Sequence, residues 1–212
     1  MEPITLHTPL TQLPKVGPAR AAALEKLGLT TVADLLAHFP REYEDRTLRQ
    51  EGIAALPQEE PVCFAALVAE PFRTSFLRKG MEVTRGRLVD ATGQGLATFT
   101  QSYVQRALRP GQTYVFYGKL TGAGTRRQIV NPKFEPEGQQ TFTGGILPVY
   151  PLTAGLSNHL LAGLVRLALS CADQAAETLD DALRREHQLL PLAAAYRAIH
   201  FPPSWQALAQ AR

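Results

Sequence analysis

Cysteine and long apolar runs are scarce in this sequence, and each shortage excludes a class of protein. Only two cysteines occur among 212 residues, Cys63 and Cys171, and they form no C-x-x-C pair. Neither a disulfide scaffold nor a zinc site is indicated, and a reducing cytoplasm is the compartment that fits. No apolar run approaches the roughly 20 residues that span a bilayer, and the N-terminus lacks the basic start of a signal peptide. We therefore expect neither export nor membrane insertion.

The sequence also lacks the motifs of common catalytic sites. Its one Gly-Lys pair, Gly118-Lys119, is followed by leucine and has no glycine five residues earlier, so it is not a nucleotide-binding loop. The five histidines are dispersed, and no Ser, Cys or carboxylate has the spacing typical of nucleophilic or acid-base catalysis. For this chain alone we expect no ATP hydrolysis, no other catalysis, no metal and no cofactor.

Positive charge is concentrated in the middle of the chain. Residues 62–134 hold 11 Lys and Arg against 3 Asp and Glu, a net charge of +8, whereas residues 1–61 carry −3 and residues 135–212 carry −2. Clustered cations displace the counterions that surround a phosphate backbone, so this distribution predicts a surface that binds a polyanion. A basic face that serves only solubility is the alternative.

Residues 1–61 are predicted to form a helical region. The pattern indicates one helix over 18–27 and a second over 32–39, each bounded by residues typical of helix ends. This pair resembles a helix-hairpin-helix, in which a Gly-hydrophobic-Gly turn offers backbone amides to a DNA phosphate. Lys15 stands in place of the first glycine, so a helical pair that only packs on its neighbours is the alternative.

Residues 62–134 change to a strand-like period, with turn residues at regular intervals. The predicted strands cover 62–70, 82–89, 96–100, 114–120 and 126–131, with a helix over 102–108. Three strands, a helix and two strands is the element order of an OB-fold, a small Greek-key barrel that commonly holds single-stranded nucleic acid. The sequence therefore predicts an α+β protein with a central five-stranded OB-fold and helical regions on both sides. Other small barrels are the alternative.

Residues 135–212 are predicted to hold a connector followed by C-terminal helices. Prolines exclude a helix over 146–151, which we expect to be extended. Helices are predicted over 158–171, 179–190 and 205–212, with caps at Ser157, at Thr178 with Asp181, and at Ser204. The last helix carries no stop signal, which favours a fragment of a longer protein.

Aromatic and basic residues of the middle segment are the candidate binding residues. Phe99 and Tyr103 lie at the corner between the third strand and the helix, where two rings can stack on bases. Strand alternation leaves a core position for Phe99 open. Arg85 and Arg87 share one face of the second strand, which suits contact with a phosphate backbone. Further predicted phosphate contacts are Arg78, Lys79, Arg126 and Arg127. Structural salt bridges are the alternative.

Four phrases of the sequence carry a resemblance to a known family. They are Leu13-Pro-Lys-Val-Gly-Pro-Ala-Arg20, Leu35-Leu-Ala-His-Phe-Pro-Arg-Glu-Tyr-Glu-Asp-Arg46, Ile146-Leu-Pro-Val-Tyr-Pro-Leu-Thr-Ala-Gly-Leu-Ser157 and Ala198-Ile-His-Phe-Pro-Pro-Ser204. Together they span a chain that resembles the N-terminal wedge region of the RecG family, bacterial ATP-dependent helicases that remodel branched DNA. The resemblance implies an OB-fold that splits the duplex at a junction while a following motor pulls. It also implies that Phe99 and Tyr103 stack on unpaired bases.

The resemblance further implies the partners and cofactors of a parent protein. Its motor would use ATP and Mg, and its partners would be replication forks, Holliday junctions and single-stranded DNA, in fork reversal, recombination and repair in the bacterial nucleoid. A protein-interaction module, docking for example the tail of a single-strand-binding protein, is one alternative, because a basic segment also attracts an acidic peptide. Purely architectural support for the motor is the other. Nothing in the sequence demands more than a monomer.

Overall fold

The computed structural model describes residues 3–78 and 81–212. Lys79 lies outside the described residues, and of Arg78 the backbone alone is described. The helices are α1 (Pro18–Glu25), α2 (Val32–Ala37), α3 (Val104–Ala107), α4 (Asn158–Ala168), α5 (Asp181–Glu186), α6 (Leu192–His200) and α7 (Trp205–Ala211). The strands are β1 (Glu42–Asp45), β2 (Pro61–Val68), β3 (Arg73–Arg78), β4 (Met81–Val89), β5 (Gln94–Phe99), β6 (Thr113–Thr121), β7 (Gln128–Val130), β8 (Lys133–Pro136) and β9 (Ile146–Val149).

Two compact units make up the chain, and their boundaries differ from the predicted ones. One unit joins Met1–Asp45 to Ile146–Arg212, and the other is Arg46–Gly145. The barrel unit begins well before residue 62 because Ile53 and Leu56 are buried in its core. The N-terminal and C-terminal regions, predicted as separate, thus belong to a single unit, which we call the helical unit.

Five strands of the barrel unit close into the predicted OB-type barrel. Their order is β2-β4-β5-β7-β6, and β6 pairs back onto β2. These pairs are antiparallel except for β5 and β7, which run parallel from Leu96↔Gln128 to Thr98↔Val130. Helix α3 lies between β5 and β6 in the chain, as predicted. The predicted fold class, α+β with a central OB-fold, is confirmed.

Two strands that the sequence did not predict extend the barrel. β8 adds to β6, and β3 pairs with β4 as an antiparallel hairpin. Arg73 lies opposite Arg85, and Thr74 lies opposite Thr84. The two threonine hydroxyls form a hydrogen bond of 2.8 Å, which ties the hairpin together at this point.

An aromatic cluster fills the barrel. The rings of Phe72, Phe99, Phe116 and Phe134 form pairs with centroids 5.7 to 6.3 Å apart. Aromatic pairs at this separation add to the favourable burial of apolar area. Gly86 is needed beneath this cluster, because a Cβ at that position would lie 2.3 Å from the Phe72 ring.

The helical unit contains the predicted extended strip as β9, which pairs antiparallel with β1 from Glu42↔Val149 to Asp45↔Ile146. The predicted caps at Ser157 and Ser204 are confirmed, since each hydroxyl accepts a backbone N–H of its helix. Helix α5 starts later than predicted, because the cap is Asp180 rather than Thr178. Helix α6 was not predicted. No helix in the described part of the chain is long and apolar enough to cross a membrane.

The turn before α1 keeps a glycine-like backbone at Lys15. Its φ of 68° lies in the left-handed region that glycine adopts without strain. Arg20 supports the turn by donating from Nη1 to the Lys15 carbonyl oxygen at 2.6 Å. The two predicted helices are confirmed as α1 and α2, and contact of this turn with DNA stays a prediction.

A buried histidine joins three segments of the helical unit. His200 donates from Nε2 to the Leu36 carbonyl oxygen at 2.9 Å, and the Tyr150 hydroxyl donates to Nδ1 at 3.0 Å. Both bonds are made by a neutral imidazole. Burial lowers the pKa of His200 by more than the hydrogen bond to Leu36 raises it, so the neutral form is the stable one in the folded chain.

We therefore expect the stability of the helical unit to decrease as pH falls below 6.5, the ordinary pKa of histidine. Below that pH, His200 binds a proton in the unfolded chain but not in the folded chain. The free energy of unfolding therefore falls by about 1.4 kcal/mol per pH unit, until the pH reaches the lowered pKa of folded His200. The single tryptophan, Trp205, lies in this unit. Its fluorescence during urea unfolding, at about pH 7.5 and about pH 5.5, measures the effect. His200→Gln should remove it and His7→Gln should keep it, whereas equal pH dependence in both variants would contradict the prediction.

Candidate nucleic-acid interface

Two arginines project from the outer face of β4. Gly86 and Leu88 are buried in the barrel, so strand alternation turns Arg85 and Arg87 outward, where both are exposed. Thr98 of β5 lies beside Arg85 in the sheet register. The expectation that Arg85 and Arg87 share an exposed face is met, and their contact with phosphate stays a prediction.

Phe99 and Tyr103, the two predicted stacking residues, occupy different environments. Phe99 is 2% exposed and packs between the rings of Phe72 and Phe134. It presents no face to a base, because β5 alternation places it with Ala97 inside the barrel, so its predicted role is corrected to a core role. Tyr103, at the N-terminus of α3, is 64% exposed. One of the two rings is therefore available for stacking.

The two arginines between β6 and β7 also differ. Arg126 ends the short 3-10 turn Gly124–Arg126 and is exposed, so its phosphate contact stays a prediction. Arg127 is 7% exposed and donates from Nη1 to the Leu56 carbonyl oxygen at 2.7 Å. Its predicted phosphate contact is corrected to a structural one, since this bond ties the segment before β2 to the barrel.

Two exposed residues of β3 were missed, one on each side of the β3–β4 hairpin. Arg73 lies directly across the hairpin from Arg85, and Phe76 is 76% exposed. Alternation places Phe76 on the same side of the hairpin as Thr74, whose hydroxyl donates to Gln105 of α3 at 3.2 Å. The alternation of Phe72, Thr74 and Phe76 is the sequence signal that could have predicted this strand.

Few carboxylates neutralise the basic face. Glu70 Oε2 lies 3.5 Å from Arg87 Nη2, and both side chains are about half exposed. Asp90 instead accepts hydrogen bonds from the backbone N–H groups of Ile53, Thr92 and Gly93. Burial raises the pKa of Asp90, but these hydrogen bonds and one from the Thr92 hydroxyl outweigh it, so the net pKa is lowered. Asp90 is thus ionised, but its oxygens accept hydrogen bonds from these backbone N–H groups instead of pairing with an arginine of the basic face.

The fold and this face together define a class of protein. An OB-type barrel that presents arginines and an exposed tyrosine is typical of proteins that bind nucleic acid through phosphate contacts and base stacking. In the part of the chain that the structure describes, no three His, Cys, Asp or Glu residues could together hold a metal ion. The barrel exposes guanidinium groups and a phenol ring, which suit contact with phosphates and stacking on bases.

Comparison with known proteins identifies the family. The model of the RecG wedge domain matches residues 10–172, and the chain belongs to this family. The ATP-dependent DNA helicase RecG of Thermotoga maritima is 30% identical over 100% of the chain, and that of Synechocystis is 29% identical over 99%. A solved structure of RecG bound to a three-way DNA junction covers 99% of the chain, with 28% identity and a TM-score of 0.85.

The chain is much shorter than these relatives. It spans 27% of the length of each of the two helicases and 29% of the RecG chain in the solved structure. The resemblance inferred from the four sequence phrases is confirmed at the level of the family.

Proposed function

We propose that this chain is the wedge of an ATP-dependent DNA helicase and binds branched DNA. The observation that carries the proposal is its similarity, along 99% of its length, to RecG bound to a three-way DNA junction. The exposed arginines of β4 and the exposed ring of Tyr103 support it. The proposed setting is the bacterial cytoplasm, where forks and Holliday junctions arise during replication, recombination and repair.

We assign ATP hydrolysis, and the Mg that it requires, to the part of the relatives that this chain does not match. The work left to this chain is to hold and separate strands. At a fork the first unpaired bases lose a stacking partner, which the Tyr103 ring can replace. Arg85, Arg87 and Arg126 attract the diverging backbones. Ring faces and guanidinium groups tolerate any base, so the proposed recognition is of junction shape.

Fluorescence anisotropy of the 212-residue chain tests the proposal. Labelled three-way junction, matched duplex and single strand are titrated across a salt series. We expect the junction to bind most tightly, and its affinity to fall steeply with salt, by a slope of about 0.9 per neutralised phosphate. Equal affinity for junction and duplex would refute a wedge role for this chain alone. Binding of an acidic peptide in place of DNA would favour the protein-interaction alternative.

A further inference from the structure

Two arginines face each other on the outer side of the β3–β4 hairpin. Arg73 and Arg85 are direct partners in the antiparallel register. Side chains at such positions project to the same face, with Cβ atoms about 4.5–5.5 Å apart. Thr74 and Thr84, the next pair along, meet on the opposite face through their hydroxyls at 2.8 Å. Both guanidinium groups are therefore held on one side of the sheet, where both residues are exposed.

This pair lacks the neutralisation that Arg87 receives. Like charges directly across a sheet repel, and a nearby carboxylate is the usual remedy. Glu70 lies beside Arg87 at 3.5 Å. Glu82, the one carboxylate within the described strands β3 and β4, is three residues from Arg85 and so lies on the opposite face. Among the described residues, neither Arg73 nor Arg85 forms a salt bridge.

We propose that Arg73 and Arg85 form a phosphate clamp, in which a phosphate of a DNA backbone lies between the two guanidinium groups. The clamp rests on the proposed function and adds the place where a strand is held. A guanidinium presents paired N–H donors in a planar fork that matches phosphate oxygens, so two of them can hold one phosphate from two sides. Thr98, beside Arg85 on β5, offers a hydroxyl donor on the same face. The bound anion relieves the repulsion that the free chain carries.

The clamp predicts opposite effects on binding and on stability. Arg73→Gln should weaken DNA binding about three- to tenfold at low salt and lower the salt slope by about one unit. The same change removes a like-charge contact, so the melting temperature should rise by about 1–2 °C. The matched control is Arg185→Gln, which removes an equal charge from an exposed arginine of α5. Arg185→Gln should produce neither the loss of DNA affinity nor the rise in melting temperature expected of Arg73→Gln.

Anisotropy with three-way junction, duplex and single strand, together with thermal melting of the same variants, decides between outcomes. Because the clamp holds the backbone and not a base, its loss in Arg73→Gln should lower the affinity for all three DNA forms by a similar factor. If Arg73→Gln and Arg185→Gln bind equally well, or if Arg73→Gln melts lower than the parent chain, the clamp is overturned. If the parent chain binds junction and duplex equally but Arg73→Gln still loses affinity, the clamp stands and the proposed wedge function fails. A chain that binds no DNA overturns both.

Discussion

Replacing Phe99 with alanine is expected to destabilise the barrel unit by about 3–5 kcal/mol, the usual cost of deleting a buried phenyl ring. The ring is 2% exposed and contacts Phe72 and Phe134, with centroids 5.8 and 5.7 Å away. Its removal loses apolar burial and leaves a cavity that the closed barrel cannot collapse to fill. The effect is one of folding and should be present without DNA.

Trp205 lies in the helical unit, so its fluorescence does not report on unfolding of the barrel unit. Hydrogen exchange, resolved over peptides of residues 46–145, measures the destabilisation of the barrel unit directly. Phe76→Ala is the matched control. It makes the same chemical change in the same barrel at a ring that is 76% exposed, and should leave exchange unchanged. Wild-type exchange in Phe99→Ala, combined with loss of DNA affinity, would mean that the ring leaves the core to meet a base and would contradict the expectation.

Replacing Tyr103 with alanine should weaken binding to three-way junctions and single strands by about 1–3 kcal/mol, the cost of losing one base-stacking platform. The side chain is 64% exposed and the α3 core contact is made by the neighbouring Val104, which is fully buried. The change should therefore leave the barrel as stable as before. Fully paired duplex has no unstacked base to offer, so its affinity should move little.

Tyr103→Phe is the control that separates stacking from hydrogen bonding. The phenyl ring stacks as the phenol does, so this variant should keep nearly all of the affinity for junctions. Anisotropy at one fixed salt concentration compares the three proteins. If Tyr103→Ala binds junctions as the parent chain does, or if Tyr103→Phe is as weak as Tyr103→Ala, stacking by this ring is ruled out.

A variant that carries both Phe99→Ala and Tyr103→Ala would lose DNA binding for two separate reasons. Combining Phe99→Ala with Tyr103→Ala would mix a folding defect with a binding defect, because Phe99 is buried in the core whereas Tyr103 is exposed. Loss of DNA binding in such a variant would say nothing about stacking. The single variants, each with its own control, keep the two causes apart.

Much of the barrel could be predicted because alternation and turn residues are strong local signals. The strands β2, β4, β5, β6 and β7 follow the predicted segments within a few residues. Strand β3 was missed because it is a short segment of largely polar residues. It becomes a strand by pairing with β4, and this pairing is not visible in the segment itself. Helix α6 was missed because its N-cap residue is Pro191, which has no side-chain acceptor, so the usual start signal of a helix is lacking.

The candidate site was less predictable, because it depends on which side of a strand faces the core. Alternation places Phe99 with Ala97, but only the closed barrel shows that this side is buried. Arg126 and Arg127 are adjacent in sequence, yet one is exposed and the other reaches inward to the Leu56 carbonyl oxygen. Arg73 became a candidate for phosphate binding only because it lies across the sheet from Arg85. Which side of a strand is buried, and which residues are neighbours across the sheet, is decided by the tertiary structure.

The barrel is an insertion whose two ends meet at its host. The chain leaves the helical unit after Asp45 and returns at Ile146, and these residues are paired neighbours in the β1–β9 ladder. On the barrel side, Arg46 and Gly145 are joined by a backbone hydrogen bond of 2.9 Å. Two such close ends are the arrangement in which a domain can be exchanged without breaking its host. A two-residue turn from Asp45 to Ile146 would leave β1 and β9 as a plain hairpin. The barrel unit is thus a removable cassette, which can be exchanged while the helical unit keeps its own ladder and core.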